Sequence, residues 1–377
     1  MRTRMIAVCA ALAAVAVGTT GAAPRASAAD APATRYGEVQ AILQRLTTVD
    51  GAPGALAEIG AGGSRTVLTS GVADLATGAP VAADSRFRIG SMTKMFVATV
   101  VLQLVAEHRV DLDAPIERYL PGVVRGNGND GRDITVRQLL QHTSGLPDYV
   151  DYLSEDSILA DPLAHYSPRQ LVSTALAHPR LFAPGTGWSY SNTDYVLAGL
   201  LIRAVTGHAY GQEIDRRIIK PLGLHDTSVP VDRSAIPGTH PHGYAEVTAA
   251  DPVDVTAFNP SVAYASGAMI SSGADMDRFL GALLQGRLLP PAELRAMQTT
   301  TPTGDASGSG YGLGLQSTPL PCGGVLWGHD GGIFGFETMS GATPDGRQVT
   351  VMVNLNPGGT AAQDADIQAA VTAALCA

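Results

Sequence analysis

The sequence predicts an α+β fold: one antiparallel sheet built from both ends of the chain and flanked by terminal helices, with a mainly helical lobe inserted between its two parts. Three observations carry this. Strand-like runs fall near the start, at 53–60 and 65–72, and return only after residue 312. The stretch between them holds the helical signatures. Residues 90–108 are apolar on nearly every face (Met92, Met95, Phe96, Val97, Val100, Val101, Leu102, Leu104, Val105), the mark of a helix buried between layers. A chain of 377 residues with 45% apolar content has ample material for such a core.

Taken in order, Arg2 and Arg4 precede an apolar run from Met5 to Val17, and Ala26-Ser27-Ala28 follows. A charged start, a short apolar middle and an A-x-A site read as a secretory signal peptide over 1–28. A membrane anchor is the alternative, disfavoured because the run is shorter than the ~20 residues a bilayer needs. Cys9 lies inside the run and not after it, so no lipid-attachment site is read. The rest, 29–377, is read as a single domain, with a sheet lobe over about 34–85 and 300–377 and a helical lobe over about 86–299. Residues 35–49 have helical spacing (Val39, Ile42, Leu43, Leu46). Two strands surround the turn Gly62-Gly63-Ser64. "ITVRQLLQHTSGLP" offers Thr135 as a helix cap and Gly145 as its stop, and "SNTDYVLAGLLIRAVTG" offers a further helix closed by glycine. Residues 121–133, rich in Gly, Asn and Asp, are expected as an exposed loop. Late strands are expected at 313–316, 325–328, 334–340 and 348–355, and a terminal helix at 361–375. Ligand sites favour the junction of two such lobes.

Removing the signal peptide removes three arginines and no acids, which takes the net charge from −9 to −12. That balance argues against nucleic acid and anionic membrane surfaces as partners. With no later run able to span a bilayer, the expectation is a secreted monomer with no stable membrane insertion, acting on a small-molecule or peptide substrate. Two cysteines remain, Cys322 and Cys376. In an exported chain a disulfide is expected, with two free thiols as the alternative.

The chemistry is written in three segments. In "FRIGSMTKMF" Ser91 and Lys94 stand three apart, at the start of the buried helix. Only two of the 25 Lys and Arg residues are lysines, Lys94 and Lys220. Arginine cannot give up its proton in a protein, whereas lysine can when burial lowers its pKa. A spacing of three puts both side chains on one helix face, and the free N–H groups of a first turn can hold an oxyanion. The competing reading is a helix cap beside a surface lysine, which the apolar surroundings oppose. "GTGWSYSNTDY" supplies Tyr190, a phenol able to relay a proton, and Asn192, an amide able to hold a substrate carbonyl. "LWGHDGGIFGF" carries His329, Asp330, Gly331 and Gly332, and glycine in a strand marks close approach to a ligand. A buried tyrosine with an Asn turn, and a satisfied histidine in a strand turn, are the structural alternatives. His240 and His242 lack a third ligand at useful spacing, so no metal is expected.

In this order, S-x-x-K, Y-x-N and a third Gly-rich triplet, the segments resemble those of the penicillin-binding-protein and serine β-lactamase superfamily, in its class C β-lactamase-like branch. "ITVRQLLQHTSGLPDY", "FAPGTGWSYSNTDYVLAGLLIRAVTG", "IIKPLGLHDTS" and "SSGADMDRFLGALL" resemble the family too, so the likeness runs from about 36 to 355. The nearest resemblance is to secreted D-alanyl-D-alanine carboxypeptidases, including a cysteine pair placed like Cys322 and Cys376. It implies a β-lactamase/transpeptidase-like catalytic domain with no cofactor. Ser91 would be the acylated nucleophile, Lys94 its base and Tyr190 the proton relay, with either Lys94 or Tyr190 taking the first proton. Asn192, His329, Asp330, Gly331 and Gly332 would bind substrate, and the N–H groups of Ser91 and Gly332 would form the oxyanion hole. Two departures bear on substrate. Asp330 and Gly332 stand where the family places hydroxyls that help bind a carboxylate, and no Arg or Lys occurs between Arg295 and Arg347. The expected activity is that of a penicillin-binding D,D-carboxypeptidase. The alternatives are an esterase, D-amino-acid amidase or peptidase, or β-lactamase of the same mechanism, and a catalytically silent binding protein.

Overall fold

The computed structural model describes residues 35–246, 252–305 and 307–377. The expected signal peptide therefore lies outside the described residues.

Helix α1 (Gly37–Thr48) buries Val39, Ile42, Leu43 and Leu46, one stripe at helical spacing. Strands β1 (Gly54–Ala61) and β2 (Ser64–Gly71) form a hairpin whose corner, Gly62 and Gly63, has φ of +57° and +82°. Positive φ at both turn residues matches the twist of the strands, and glycine adopts it without a Cβ penalty. A single 3₁₀ turn, Gly90–Met92, leads into α2 (Thr93–Ala106), which is buried along most of its length. Next come α3 (Val136–Leu140), α4 (Pro168–Leu176) and α5 (Asn192–Thr206). The capping boxes Thr135/Gln138 and Ser167/Gln170 start α3 and α4, and left-handed Gly207 ends α5. Helix α6 (Gly273–Leu284) follows, capped by Ser272. The chain then returns to the sheet through β3 (Thr301–Pro302), β4 (Gly310–Tyr311), β5 (Gln316–Pro319), β6 (Val325–Ile333), β7 (Phe336–Ala342) and β8 (Gln348–Val353), and closes with α7 (Gln363–Cys376).

The sheet has the order β2-β1-β8-β7-β6-β5-β4-β3 and is antiparallel throughout. The first strand pairs with the last, Ala55 opposite Val353 and Ile59 opposite Val349, so the two chain ends make one sheet as expected. Alternation assigns its faces. Ala55, Ala57, Ile59, Val349, Val351 and Val353 meet α1 and α7, while Leu56 and Met352 join the large core beneath α2, α5 and α6.

Three local expectations are corrected. Residues 313–316 are not a strand: Gly312 N–H donates to the Leu315 carbonyl at 2.8 Å, Gly314 is left-handed, and β5 begins only at Gln316. A Cβ on Gly314 would lie 2.6 Å from the Ala98 side chain, so Leu313 and Leu315 are buried on a turn pressed against α2. Helix α3 stops at Leu140 and not at Gly145, because His142 takes φ of +59° and breaks the helix first. Within 121–133, Arg125–Gly126 and Asn129–Asp130 form a small hairpin, and Asn129 is buried.

Cys322, on the β5–β6 connection, is bonded to Cys376 at the end of α7. The bond closes a loop with a sequence separation of 54 and ties the last helix to the sheet. Cys322→Ser is expected to lower unfolding stability by about 4 kcal/mol in the chain-entropy model, read from a lower urea midpoint with a steeper slope, since the unbridged unfolded chain exposes more surface. A midpoint equal to that of wild type would refute the contribution.

Candidate active site

Two backbones meet where α2 starts. A Cβ on Gly90 would sit 2.7 Å from the Gly332 carbonyl oxygen, and one on Gly331 would sit 2.2 Å from that of Ile89. Any side chain at either position would force the 3₁₀ turn off strand β6. The glycines of "GHDGG" were expected to admit a ligand. Gly331 instead admits the turn that carries Ser91, and this puts Ser91 and Gly332 on the wall of one cavity of about 670 Å³.

Lys94 lies beneath that wall with no exposed surface. Its Nζ is 2.7 Å from Asn192 Oδ1, 2.9 Å from the Ser266 carbonyl oxygen and 2.9 Å from Ser91 Oγ. The first two atoms can only accept. The amide orientation is fixed by Asn192 Nδ2, which donates to Asp148 Oδ2 at 2.8 Å. A neutral lysine has two N–H bonds and one lone pair. With both N–H bonds spent, the lone pair is left facing the Ser91 hydroxyl. Burial pushes the Lys94 pKa down to about 7, against the opposing pull of Asp148, Asp330 and Asp194. The arrangement can therefore deprotonate Ser91 near neutral pH.

Tyr190 adjoins this hub, with Lys94 Nζ 4.7 Å from its ring centre. Its hydroxyl is buried and makes no full hydrogen bond among the described residues, although Ser91 is near enough to favour the phenolate slightly. Burial dominates and raises its pKa well above the ordinary value. A proton donor without a competing partner is suited to a leaving group.

The third segment divides by the pleat of β6. Asp330 and Gly332 line the cavity, whereas His329 and Gly331 face away from it. His329 is thus not placed to touch substrate as expected. It is buried, its Nδ1 donates to the Asp330 backbone carbonyl at 2.6 Å, and its Nε2 accepts from Tyr311 O–H at 2.9 Å. Burial holds its pKa down. Asn192 lines the cavity, yet both ends of its amide are taken by Lys94 and Asp148. Asp330 is half-exposed, and its Oδ1 accepts from Gln316 Nε2 at 2.9 Å. Among the described residues no Arg or Lys pairs with it.

Several site residues escaped sequence reasoning. The Ser266 carbonyl has no side-chain signature. Asp148 and His142 lie in "QHTSGLPDY", whose likeness to the family was the available signal. Glu337 lies across the strand pair from Gly332, and its Oε2 would be 2.8 Å from a Cβ there. Burial, then Asp330 and Asp364, push the Glu337 pKa up to about 8. Among the described residues no three His, Cys, Asp or Glu side chains gather to hold a metal, and His242 pairs with Asp254. Within the same residues no helix is long and apolar enough to cross a membrane.

Comparison with known proteins agrees with this geometry. The model of the family described as Beta-lactamase matches residues 39–374. This chain belongs to the β-lactamase family. Members of this family and its structural neighbours are hydrolases of the serine acyl-enzyme type, and the chain is a serine hydrolase of this group. It is similar to a D-stereospecific amidohydrolase from Streptomyces sp., at 43% identity and a TM-score of 0.83, covering 89% of this chain and 98% of that one. A D-amino acid amidase from Ochrobactrum anthropi SV3, solved with L-phenylalanine amide, matches at 30% identity and a TM-score of 0.77, covering 90% and 97%. Esterase EstB of Burkholderia gladioli is 33% identical over 309 residues, 70% of this chain and 76% of its own.

Proposed function

We propose that this β-lactamase-family chain hydrolyses amides or esters of D-amino acids that keep a free amine, through an acyl-enzyme on Ser91. One observation carries the reading: Glu155 and Asp330 line the cavity beside Glu337, whose carboxyl burial keeps protonated up to about pH 8, and no Arg or Lys lines it among the described residues. An ammonium group is matched there, and a substrate carboxylate is not. At 4 Å and an effective dielectric of about 20, two like charges repel by about 4 kcal/mol. The apolar wall of Tyr149, Val150, Leu153, Ile158, Val262 and Phe334 suits an uncharged side chain on the acyl group. The D configuration is taken from the likeness to the two D-selective hydrolases.

In this reading neutral Lys94 takes the Ser91 proton as Oγ attacks the carbonyl carbon. The oxyanion is held by the N–H groups of Ser91 and Gly332. The proton passes through Lys94 and Tyr190 to the leaving nitrogen or oxygen, and the bond from carbon to that atom breaks. Water then attacks the ester, its proton returns by the same path, and Ser91 regains its hydrogen.

The test is kcat/KM for three substrates at one pH: D-phenylalanine amide, its N-acetyl derivative, and an N-acylated D-Ala-D-Ala peptide. The free amine is expected to be preferred by about 10²-fold or more, the scale of a desolvated charge pair. Asp330→Thr is expected to shift the ratio toward the carboxylate peptide. Preference for the peptide in wild type would overturn the proposal in favour of a D,D-carboxypeptidase.

A further inference from the structure

Tyr190 is held from both sides by one residue. The His142 backbone carbonyl accepts Ser189 N–H at 3.0 Å, and its ring Nδ1 accepts Ser191 N–H at 3.3 Å. Between these two bonds the His142 ring packs 4.4 Å from the Tyr190 ring, centre to centre. His142 is fully buried and has φ of +59°, a left-handed conformation that is strained for a non-glycine residue. Something must hold it there.

That partner is Asp194, also without exposed surface, whose Oδ2 is 3.0 Å from His142 Nδ1. Its other oxygen accepts Ser144 O–H at 2.6 Å, and Ser144 Oγ in turn accepts Leu146 N–H at 3.0 Å. Hydrogen counting then places one proton. A ring nitrogen that accepts an N–H carries no hydrogen of its own. With Ser191 N–H donating to Nδ1, that nitrogen carries no hydrogen, so its one lone pair is shared by Ser191 N–H and a hydrogen on Asp194 Oδ2, and the ring proton sits on Nε2, which finds no partner among the described residues.

We infer that Asp194 is a protonated acid donating to His142 Nδ1, and that this neutral pair positions Tyr190 for proton transfer. The inference goes beyond the substrate reading and rests only on Tyr190 lying in the proton path. Burial acts in the same sense on both groups, raising the Asp194 pKa well above its ordinary value and lowering that of His142 well below. The neutral form has a second consequence. An ionised Asp194 is one of the charges that would hold the proton on Lys94. Keeping Asp194 protonated leaves the lysine free to act as a base, while the pair still fixes Ser189 and Ser191 on either side of Tyr190.

Asp194→Asn and Asp194→Leu separate the possibilities. An Asn amide donates to Nδ1 and accepts from Ser144, as the protonated acid does, whereas Leu fills similar space without a donor. Acylation of Ser91 by a fluorescent penicillin is timed on folded enzyme, with ring ¹⁵N spectra assigned by difference from His142→Gln. Asn is expected to acylate within about threefold of wild type, and Leu at least about tenfold more slowly, the scale of one buried hydrogen bond. The spectra are expected to show Nδ1 bare in wild type and in Asn. An Asn variant about tenfold or more slower than wild type, or a hydrogen found on Nδ1 in wild type, would overturn the inference even if Leu failed to fold. A Leu variant at wild-type speed would remove the positioning role. If the wild type forms no penicillin adduct, the carboxylate of that probe is the cause, the same Asn and Leu comparison is read from hydrolysis of D-phenylalanine amide, and the ¹⁵N spectra still decide where the proton lies.

Discussion

Ser91→Ala is expected to yield folded protein that forms no covalent adduct. Ser91 Oγ is the hydroxyl on the cavity wall that faces the Lys94 lone pair, and the two atoms are 2.9 Å apart. Removing it takes away the bond-forming atom and little else. Lys94 keeps both of its acceptors, Asn192 Oδ1 and the Ser266 carbonyl, so no buried N–H is orphaned. The 3₁₀ turn is set by Gly90 and its contact with β6, neither of which needs the hydroxyl. Activity is expected to fall on the order of 10⁴-fold or more, the scale for loss of a serine nucleophile. Intact mass after incubation with penicillin and with D-phenylalanine amide reads the adduct, and thermal unfolding reads the fold. Undiminished adduct on the variant would move the nucleophile elsewhere.

The parts of this fold that could be read from the sequence are those fixed by neighbours along the chain. The Gly62-Gly63 hairpin, the Thr135 cap and the buried run of α2 each depend on residues within a few positions, so periodicity and turn chemistry reach them. The errors come from tertiary contact. Residues 313–316 look like a strand, and become a turn because Gly314 is pressed against α2. His329 was expected at the substrate from its place in the third family segment, but the pleat of β6 puts it on the face opposite Asp330.

The site divides in the same way. Ser91 and Lys94 are three apart on one helical segment, and chemistry alone singles out one of only two lysines in the chain. Glu337 reaches the cavity only through its register opposite Gly332, and the Ser266 carbonyl only through the path of a loop. Asp330 was legible as an anomaly. In the structure Gln316 donates to it, and among the described residues no arginine pairs with it.

Lys94→Arg is the sharper test of mechanism, because it separates charge from basicity. Arg keeps a positive charge at roughly the same reach, and cannot lose its proton. In wild type the Lys94 pKa lies near 7, lowered by burial, so acylation should rise with pH and level off above that value. In the Arg variant acylation is expected to fall by ~10²-fold or more and to lose this rise. Stability moves with pH in the same direction. The folded-state pKa lies below the ordinary value of 10.5, so the unfolded chain binds more protons between about 7 and that value. Stability therefore increases with pH across this window, and burying the lysine destabilises the fold at neutral pH. Lys94→Met, which removes the titrating group, is expected to be inactive yet at least as stable as wild type at pH 7. If Met were both inactive and unfolded, the lysine would be a structural post. If Arg acylated at near-normal rates, Lys94 would be serving as a fixed charge, and the base would have to be Tyr190.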